Sequence, residues 1–304
     1  MKRIQSRLPS KPFIKTHNTP HIPFIGILLL VFVSLSCSLS TGIYPSQPES
    51  TQETLFNGIK YKRNVTKSPR PMVIHIVTVN LKEPGLEVLV TPPKDKDAKK
   101  PLSARTTSEF LTDFQLQMAI NGDGFTPWHD WGPLGYFPHP GDLVKPNGFA
   151  VSRGIRYTPE RDQENTLYIY ATGRASINSL TGKVYNAISG DKLLMRSGEI
   201  LPGLSDLSPQ PRTAIGLNRA GTQMIIVIVD GRQSGYSEGA TLKELANILL
   251  NQNAFNALNM DGGGSSTLVI ADKNGNPVVL NSPIHNGNPG ALRPVGNHIG
   301  FWIK

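Results

Sequence analysis

Asp261-Gly262-Gly263-Gly264-Ser265-Ser266 sets a carboxylate, three glycines and two hydroxyls between two apolar stretches. Glycine gives up more backbone entropy on folding than any other residue, so such a run suits a place where a ligand comes close to the main chain. Successive free N–H groups there can also form a concavity for an anion. Taken alone, the run reads as a turn between strands, because glycine is the commonest turn residue. Other polar residues stand in comparable positions. Asp230 ends one apolar run, Asp261 another, and Asn121 and Asp123 follow a third. Acids and amides at strand ends commonly face a shared crevice on a rigid scaffold. Singly, each serves as readily as a turn or cap residue, and Asp230-Gly231 reads equally as a hairpin turn. Arg212 and Arg293 add guanidinium groups, whose fork of donors matches tetrahedral oxyanions. A structural ion pair to Asp230 or Asp261 is the alternative for each.

Other chemistries fit less well. No Lys-Ser/Thr follows the glycines, which excludes a phosphate-binding P-loop, and Ser265 and Ser266 lack the Gly-x-Ser-x-Gly elbow of a serine hydrolase. His129, Asp130, His139 and Asp142 are of metal-ligating type but lack tight ligand spacing, so neither a metal nor a cofactor is expected.

The elements that would position these residues are mostly strands. Met72–Val79 and Leu86–Val90 are rich in β-branched residues and flank Glu83-Pro84-Gly85, which predicts a hairpin. Lys94–Lys100 alternates charge and reads as a solvated loop. Thr106-x-x-Glu109 and Thr241-x-x-Glu244 are capping boxes, each opening a helix. Phe110, Leu111 and Phe114 form the apolar face of the first; Leu242, Leu245, Ala246 and Leu249 form that of the second. Met118-Ala119-Ile120 then delivers Asn121-Gly122-Asp123-Gly124, as Phe255–Met260 delivers Asp261 and the glycines. This repeated order predicts two polar loops at neighbouring sheet ends. Residues 126–166 read as a long ordered loop, in which Trp128, Trp131, Tyr136 and Phe137 are suited to stacking on sugar rings. Gln223–Val229 reads as a buried strand, with Val278–Leu280 and Asn297–Ile303 as closing strands.

At 304 residues, with 29 glycines and 25 prolines, the chain suits one loop-rich, strand-rich domain rather than a helical bundle. The net charge of +9 is not a nucleic-acid signature: five of the positive charges lie within the first 40 residues, which contain no acid. No basic run is interleaved with aromatics either, so no nucleic-acid partner is expected. The apolar run Phe24–Val33 comes after that basic stretch, which predicts a signal peptide or membrane anchor over 1–37 and export of the remainder of the chain. Cys37, the only cysteine, rules out an intrachain disulfide, and its place resembles a lipoprotein processing site on a periplasmic or membrane-anchored protein. Residues 38–57 read as a Ser/Thr/Pro-rich linker to a domain over 58–304.

Seven motifs in order carry a resemblance. They are Ala119-Ile120-Asn121-Gly122, Pro211–Gly216, Val229-Asp230-Gly231-Arg232-Gln233, Gly235-Tyr236-Ser237-Glu238-Gly239, Thr241-Leu242-x-x-Leu245, Asn259–Thr267 and Arg293-Pro294-Val295-Gly296-Asn297. Together they are similar to the phosphodiester glycosidase family, in an exported, cyanobacterial-like form, from about residue 70 onward. The resemblance implies an α+β fold, a mixed twisted sheet with a few flanking helices, and hydrolysis of a glycosyl-1-phosphodiester in envelope or exopolysaccharide metabolism. Where the family carries a second glycine and two aromatics after Asn-Gly, this chain has Asp123-Gly124-Phe125, so the family's sugar specificity is not carried over and the sugar stays open.

Cleavage at an anomeric carbon passes through an oxocarbenium-like transition state, served by one carboxylate at the carbon and a second that activates water. The departing phosphate monoester needs donors more than a proton. Within the resemblance, Asp261 is the expected carboxylate at the anomeric centre, with Glu238 or Asp230 as the second. Arg212 and Arg293, with the amides of Gly262, Gly263 and Gly264, are expected to grip the phosphate. Asn121, Asp123 and Asn297 would bind hydroxyls or orient the acids. A non-catalytic carbohydrate-binding or matrix-assembly protein on the same scaffold is the competing reading.

Overall fold

The computed structural model describes residues 46–132, 135–158 and 165–304. The signal or anchor expected over 1–37, with Cys37, lies outside them. Among the described residues no helix is long and apolar enough to cross a membrane.

The strand Gln223–Val229 shows how the layers arise. Its run is apolar throughout, yet alternate side chains serve different cores: Met224, Ile226 and Ile228 enter one, Ile225, Val227 and Val229 the other. A strand buried on both faces must read this way. It lies near the centre of an eight-stranded sheet, between Met72–Asn80 and Arg212–Leu217. On one face the helix Leu242–Asn251 packs Leu242, Leu245, Ala246 and Leu249. On the other lies the central core, shared with a five-stranded sheet containing Met118–Asn121, Leu268–Ala271 and His298–Ile303, and with a further sheet containing Thr166–Tyr170 and Asn186–Ser189. Met118 and Ile120 point into that core, while Ala119 points outward to Phe110 and Leu111 of the helix Thr107–Asp113.

Both helices carry the expected capping boxes: Thr106 accepts from the Glu109 amide and Thr241 from the Glu244 amide, and each glutamate accepts in return. The fold is sheet-rich with two α-helices among the described residues. Its strand pairs are antiparallel rather than mixed, because hairpins and loops connect strands where crossover helices would be needed for parallel pairing.

Three local expectations change. Met72–Asn80 and Leu86–Val90 do not form a hairpin: the turn at Glu83-Pro84-Gly85 passes the chain to the other sheet, where Leu86–Val90 pairs with His298–Ile303. Part of the 38–57 stretch is strand rather than tether. Thr51–Phe56 pairs with Ile59–Thr66 across Asn57-Gly58, with Gly58 at φ +69°. Asn-Gly supplies the positive φ that a tight hairpin requires. The stretch after Thr126 is not a bare loop but holds short strands, among them His129–Asp130, Tyr136–Phe137 and Leu143–Pro146.

Candidate active site

The two glycine-containing loops come from different sheets and are stitched together. The Asp261 amide donates to the Gly122 carbonyl at 3.1 Å, and Asn121 Nδ2 donates to the Asp261 carbonyl at 2.7 Å. Asn121 Oδ1 accepts from Thr213 Oγ1 at 2.8 Å and from the Thr267 amide at 3.1 Å. Asn121 is fully buried, and its side chain ties the Asp261 carbonyl to Thr213 and to the Thr267 amide. The Asp261 carboxylate lies in the wall of a cleft of about 1100 Å³. Burial pushes its pKa up, while a hydrogen bond from Ser265 and the charge of Arg293 hold it down.

The glycines have a steric reason. A Cβ on Gly264 would stand 2.5 Å from Arg293 Cζ, and one on Gly263 would stand 3.1 Å from an Arg232 terminal nitrogen. One on Gly262 would meet the Pro211 carbonyl at 3.0 Å. Each glycine therefore clears space for an arginine or its strand. Arg293 is held by Nε donation to His285 Nδ1 at 3.3 Å, lies over the Tyr136 ring at 5.0 Å, and has a terminal nitrogen 3.6 Å from Asp130 Oδ2. Arg232 donates from Nε to Gln210 Oε1 at 2.7 Å, and Arg212 from Nε to the Ala240 carbonyl at 3.1 Å. Three guanidinium groups thus line one cleft, each oriented through Nε. Burial lowers the pKa of Arg212 and of Arg232, and neighbouring arginines add to this.

A second carboxylate faces the same hollow. Asp123, 5 % exposed, accepts from the Gly124 amide at 2.7 Å, from the Gly148 amide at 3.1 Å, and from Ser189 Oγ. Even so, burial pushes its pKa up from 3.8 to about 6, and the charge of Asp261 adds to the rise. Asp191, exposed in the cleft, accepts from Asn259 Nδ2 at 3.1 Å. Trp128 lines the mouth half-exposed.

Of the expected site residues, the cleft brings together Asp261, Asp123, Arg212, Arg293, Gly262 and Gly263. Glu238 lies on an exposed turn away from the cleft lining, its amide bound to the Pro71 carbonyl. Asp230 is buried and committed to structure. Its carboxylate receives bonds from Asn281 Nδ2 at 3.0 Å, the Ser282 amide at 2.9 Å and the Tyr236 hydroxyl at 3.2 Å, and lies 3.1 Å from His75 Nε2. Neither residue is placed to act as the second carboxylate. Asn121 and Asn297 are fully buried off the cleft lining, the latter bonded through Oδ1 to the His298 amide, so neither reaches a hydroxyl of a bound sugar. The glycine amides are largely spent: that of Gly262 donates to its neighbour Asp261 Oδ1 at 2.9 Å and that of Gly263 to the Pro211 carbonyl at 2.9 Å. Gly264 lies outside the lining altogether.

In the sequence Asp191 carries no local signal, Asp130 stood out only as a residue of metal-ligating type, and Arg232, although part of the motif that begins Val229-Asp230-Gly231, was assigned no role of its own. Among the described residues no three His, Cys, Asp or Glu side chains converge as a metal ion would require.

A profile described as phosphodiester glycosidase matches residues 114–302. Over 59 residues, 19% of this chain, the sequence is 46% identical to the N-acetylglucosamine-1-phosphodiester alpha-N-acetylglucosaminidases of Bos taurus and Homo sapiens, and the match spans 11% of each of those proteins. Three solved structures share the fold. The catalytic domain of the zebrafish enzyme of the same name, auto-inhibited by its pro-peptide, aligns with a TM-score of 0.55 at 22% identity, over 83% of this chain and 87% of that one. A hypothetical protein from Synechocystis aligns at 0.62 and 16% identity, covering 84% and 64% of the two chains. A candidate exported protein from Burkholderia pseudomallei aligns at 0.57 and 13% identity, covering 78% and 75%.

Proposed function

The chain belongs to the phosphodiester glycosidase family, and from that premise we propose that its cleft hydrolyses a glycosyl-1-phosphodiester to a free sugar and a phosphate monoester. The observation that carries this reading is the pairing, in one hollow, of two carboxylates with raised pKa values and three arginines. A binding site for a neutral sugar has no use for three guanidinium groups, and a phosphate site alone has no use for Asp261.

Asp261 serves the anomeric carbon, where its negative charge stabilises the oxocarbenium-like transition state or forms a bond to C1. Arg212, Arg232 and Arg293 hold the phosphate, whose oxygen leaves with the C1–O electron pair as a weakly basic monoester. Asp123, with a pKa of about 6, takes the proton of the attacking water, for which a carboxylate poised near neutrality is suited. Trp128 offers a ring face to the sugar. The basic and apolar N-terminal residues favour action outside the cytoplasm, on envelope or exported polysaccharide.

The test is Asp261→Asn, assayed on a panel of sugar-1-phosphodiesters by following conversion of diester to monoester phosphorus. Turnover should fall by at least about a hundredfold, the scale of a lost acid, base or nucleophile. A correctly folded variant with near-full turnover would remove Asp261 from the reaction.

A further inference from the structure

A second hollow of about 540 Å³ adjoins the cleft and shares Asn147 and Gly148 with it. That volume is enough for a small ligand or one further sugar phosphate. Its charge is of a different kind. The cleft carries four aspartates beside its three arginines, whereas Lys99 and Lys145 line the second hollow with no carboxylate among the described residues there. Lys99 belongs to the 94–100 loop, in which four lysines outnumber two aspartates. That loop is closed by the Lys94 amide donating to the Pro101 carbonyl at 2.7 Å.

The hollow is rigidly tied to the cleft. Lys145 pairs with Thr126 and Pro146 with Phe125, so the strand bearing Lys145 lies beside the residues that directly follow Asp123-Gly124. The Gly148 amide, shared by both walls, donates to Asp123 Oδ2 at 3.1 Å. Asn147, exposed and lining both hollows, keeps its side chain against Gly124, where a Cβ would stand 2.8 Å from its Nδ2. Pro101, Pro146 and Tyr157 add apolar wall.

We propose that this second hollow is a subsite for the next phosphate-bearing unit of a polymer of glycosyl phosphates. The substrate is then a chain with a phosphodiester at successive sugars, rather than an isolated sugar-1-phosphodiester. This rests on the reading of the cleft as a glycosyl-phosphodiester site. A lysine is a compact, strongly hydrated charge on a flexible stem, suited to meet a phosphate that must be held but not cleaved. Among the described lining residues these two lysines face no carboxylate, so their charge attracts a polyanion along the groove.

The test uses the Asp261→Asn chain, so that binding is read without turnover, and four probes. These are a trimer of hexose-1-phosphate units joined by phosphodiesters, the single hexose-1-phosphate methyl diester, a uronic-acid trimer and a neutral trisaccharide. The phosphodiester trimer should bind about tenfold more tightly than the single diester at low salt, the scale of two partly screened charge contacts, and lose most of that advantage at high salt. Adding Lys99→Gln and Lys145→Gln should abolish the advantage, with the loss confined to the trimer. Equal affinity for trimer and single diester, equal loss on both, or a uronic-acid trimer binding as tightly as the phosphodiester trimer would each overturn the proposal. Turnover by the unmodified chain separates the two readings. Cleavage of both diesters with equal kcat/KM sinks the subsite and keeps the hydrolase. A trimer advantage in binding without cleavage of either keeps the subsite and sinks the hydrolase.

Discussion

Replacing Asp123 with Asn separates a carboxylate kept for chemistry from one kept for structure. Burial raises its pKa from 3.8 to about 6 in the folded chain. The folded state therefore disfavours the charged form. The penalty is absent below about pH 3.8, grows as pH rises, and is complete above about pH 6, where it amounts to about 3 kcal/mol. Asn removes that penalty but returns only part of the hydrogen bonding. Its Oδ1 still accepts from the Gly124 amide, and Ser189 Oγ can turn to accept from Nδ2, but the Gly148 amide loses its acceptor. An unmatched N–H costs about 1–3 kcal/mol. The two effects nearly cancel at neutral pH, so D123N should be as stable as the parent, or more stable by up to about 2 kcal/mol. The decisive quantity is the pH dependence. In urea titrations the stability of D123N relative to the parent should rise by about 2 kcal/mol from about pH 4.5 to about pH 7.5. The parent's kcat/KM should rise through about pH 6 as Asp123 loses its proton, and the variant should lack that limb and turn over at least about a hundredfold more slowly. A stability difference flat with pH would refute the burial argument. Full turnover with an unchanged pH profile would refute the catalytic one.

Two further predictions test the scaffold. Gly264→Ala introduces no φ strain, because its φ is not in the left-handed region, but its Cβ would stand 2.5 Å from Arg293 Cζ. The guanidinium must move, so KM should rise about tenfold with the fold intact, and an unchanged KM would show that Arg293 does not hold substrate. Asp230→Ala strips the acceptor from Asn281, Tyr236 and the Ser282 amide and should destabilise by about 3 kcal/mol or more, whereas exposed Glu238→Gln should lie within about 0.5 kcal/mol of the parent and keep full turnover. Thermal unfolding and turnover of both variants check this, and a stable, inactive Glu238→Gln chain would restore Glu238 to the site.

What the amino-acid order determined by itself is whatever short-range chemistry determines. Both helices were legible from their capping boxes, because the residues that satisfy the first free amides lie three positions apart. The strand Gln223–Val229 was legible from its β-branched run, and the family from motifs spread along the chain. Asn57-Gly58 was an equally local hairpin signal, passed over because the residues around it read as a tether. Only the tertiary structure decided which carboxylates meet. Asp230 and Asp261 both follow an apolar strand and both precede glycine. Yet Asp230 meets His75, 155 positions earlier, and is sealed, while Asp261 is stitched by Asn121, 140 positions earlier, into an open cleft. The purpose of the glycines was likewise hidden. At Gly262 the limit is the Pro211 carbonyl, at Gly263 and Gly264 it is Arg232 and Arg293, and each such distance is a property of packed segments far apart in the chain rather than of adjacent residues.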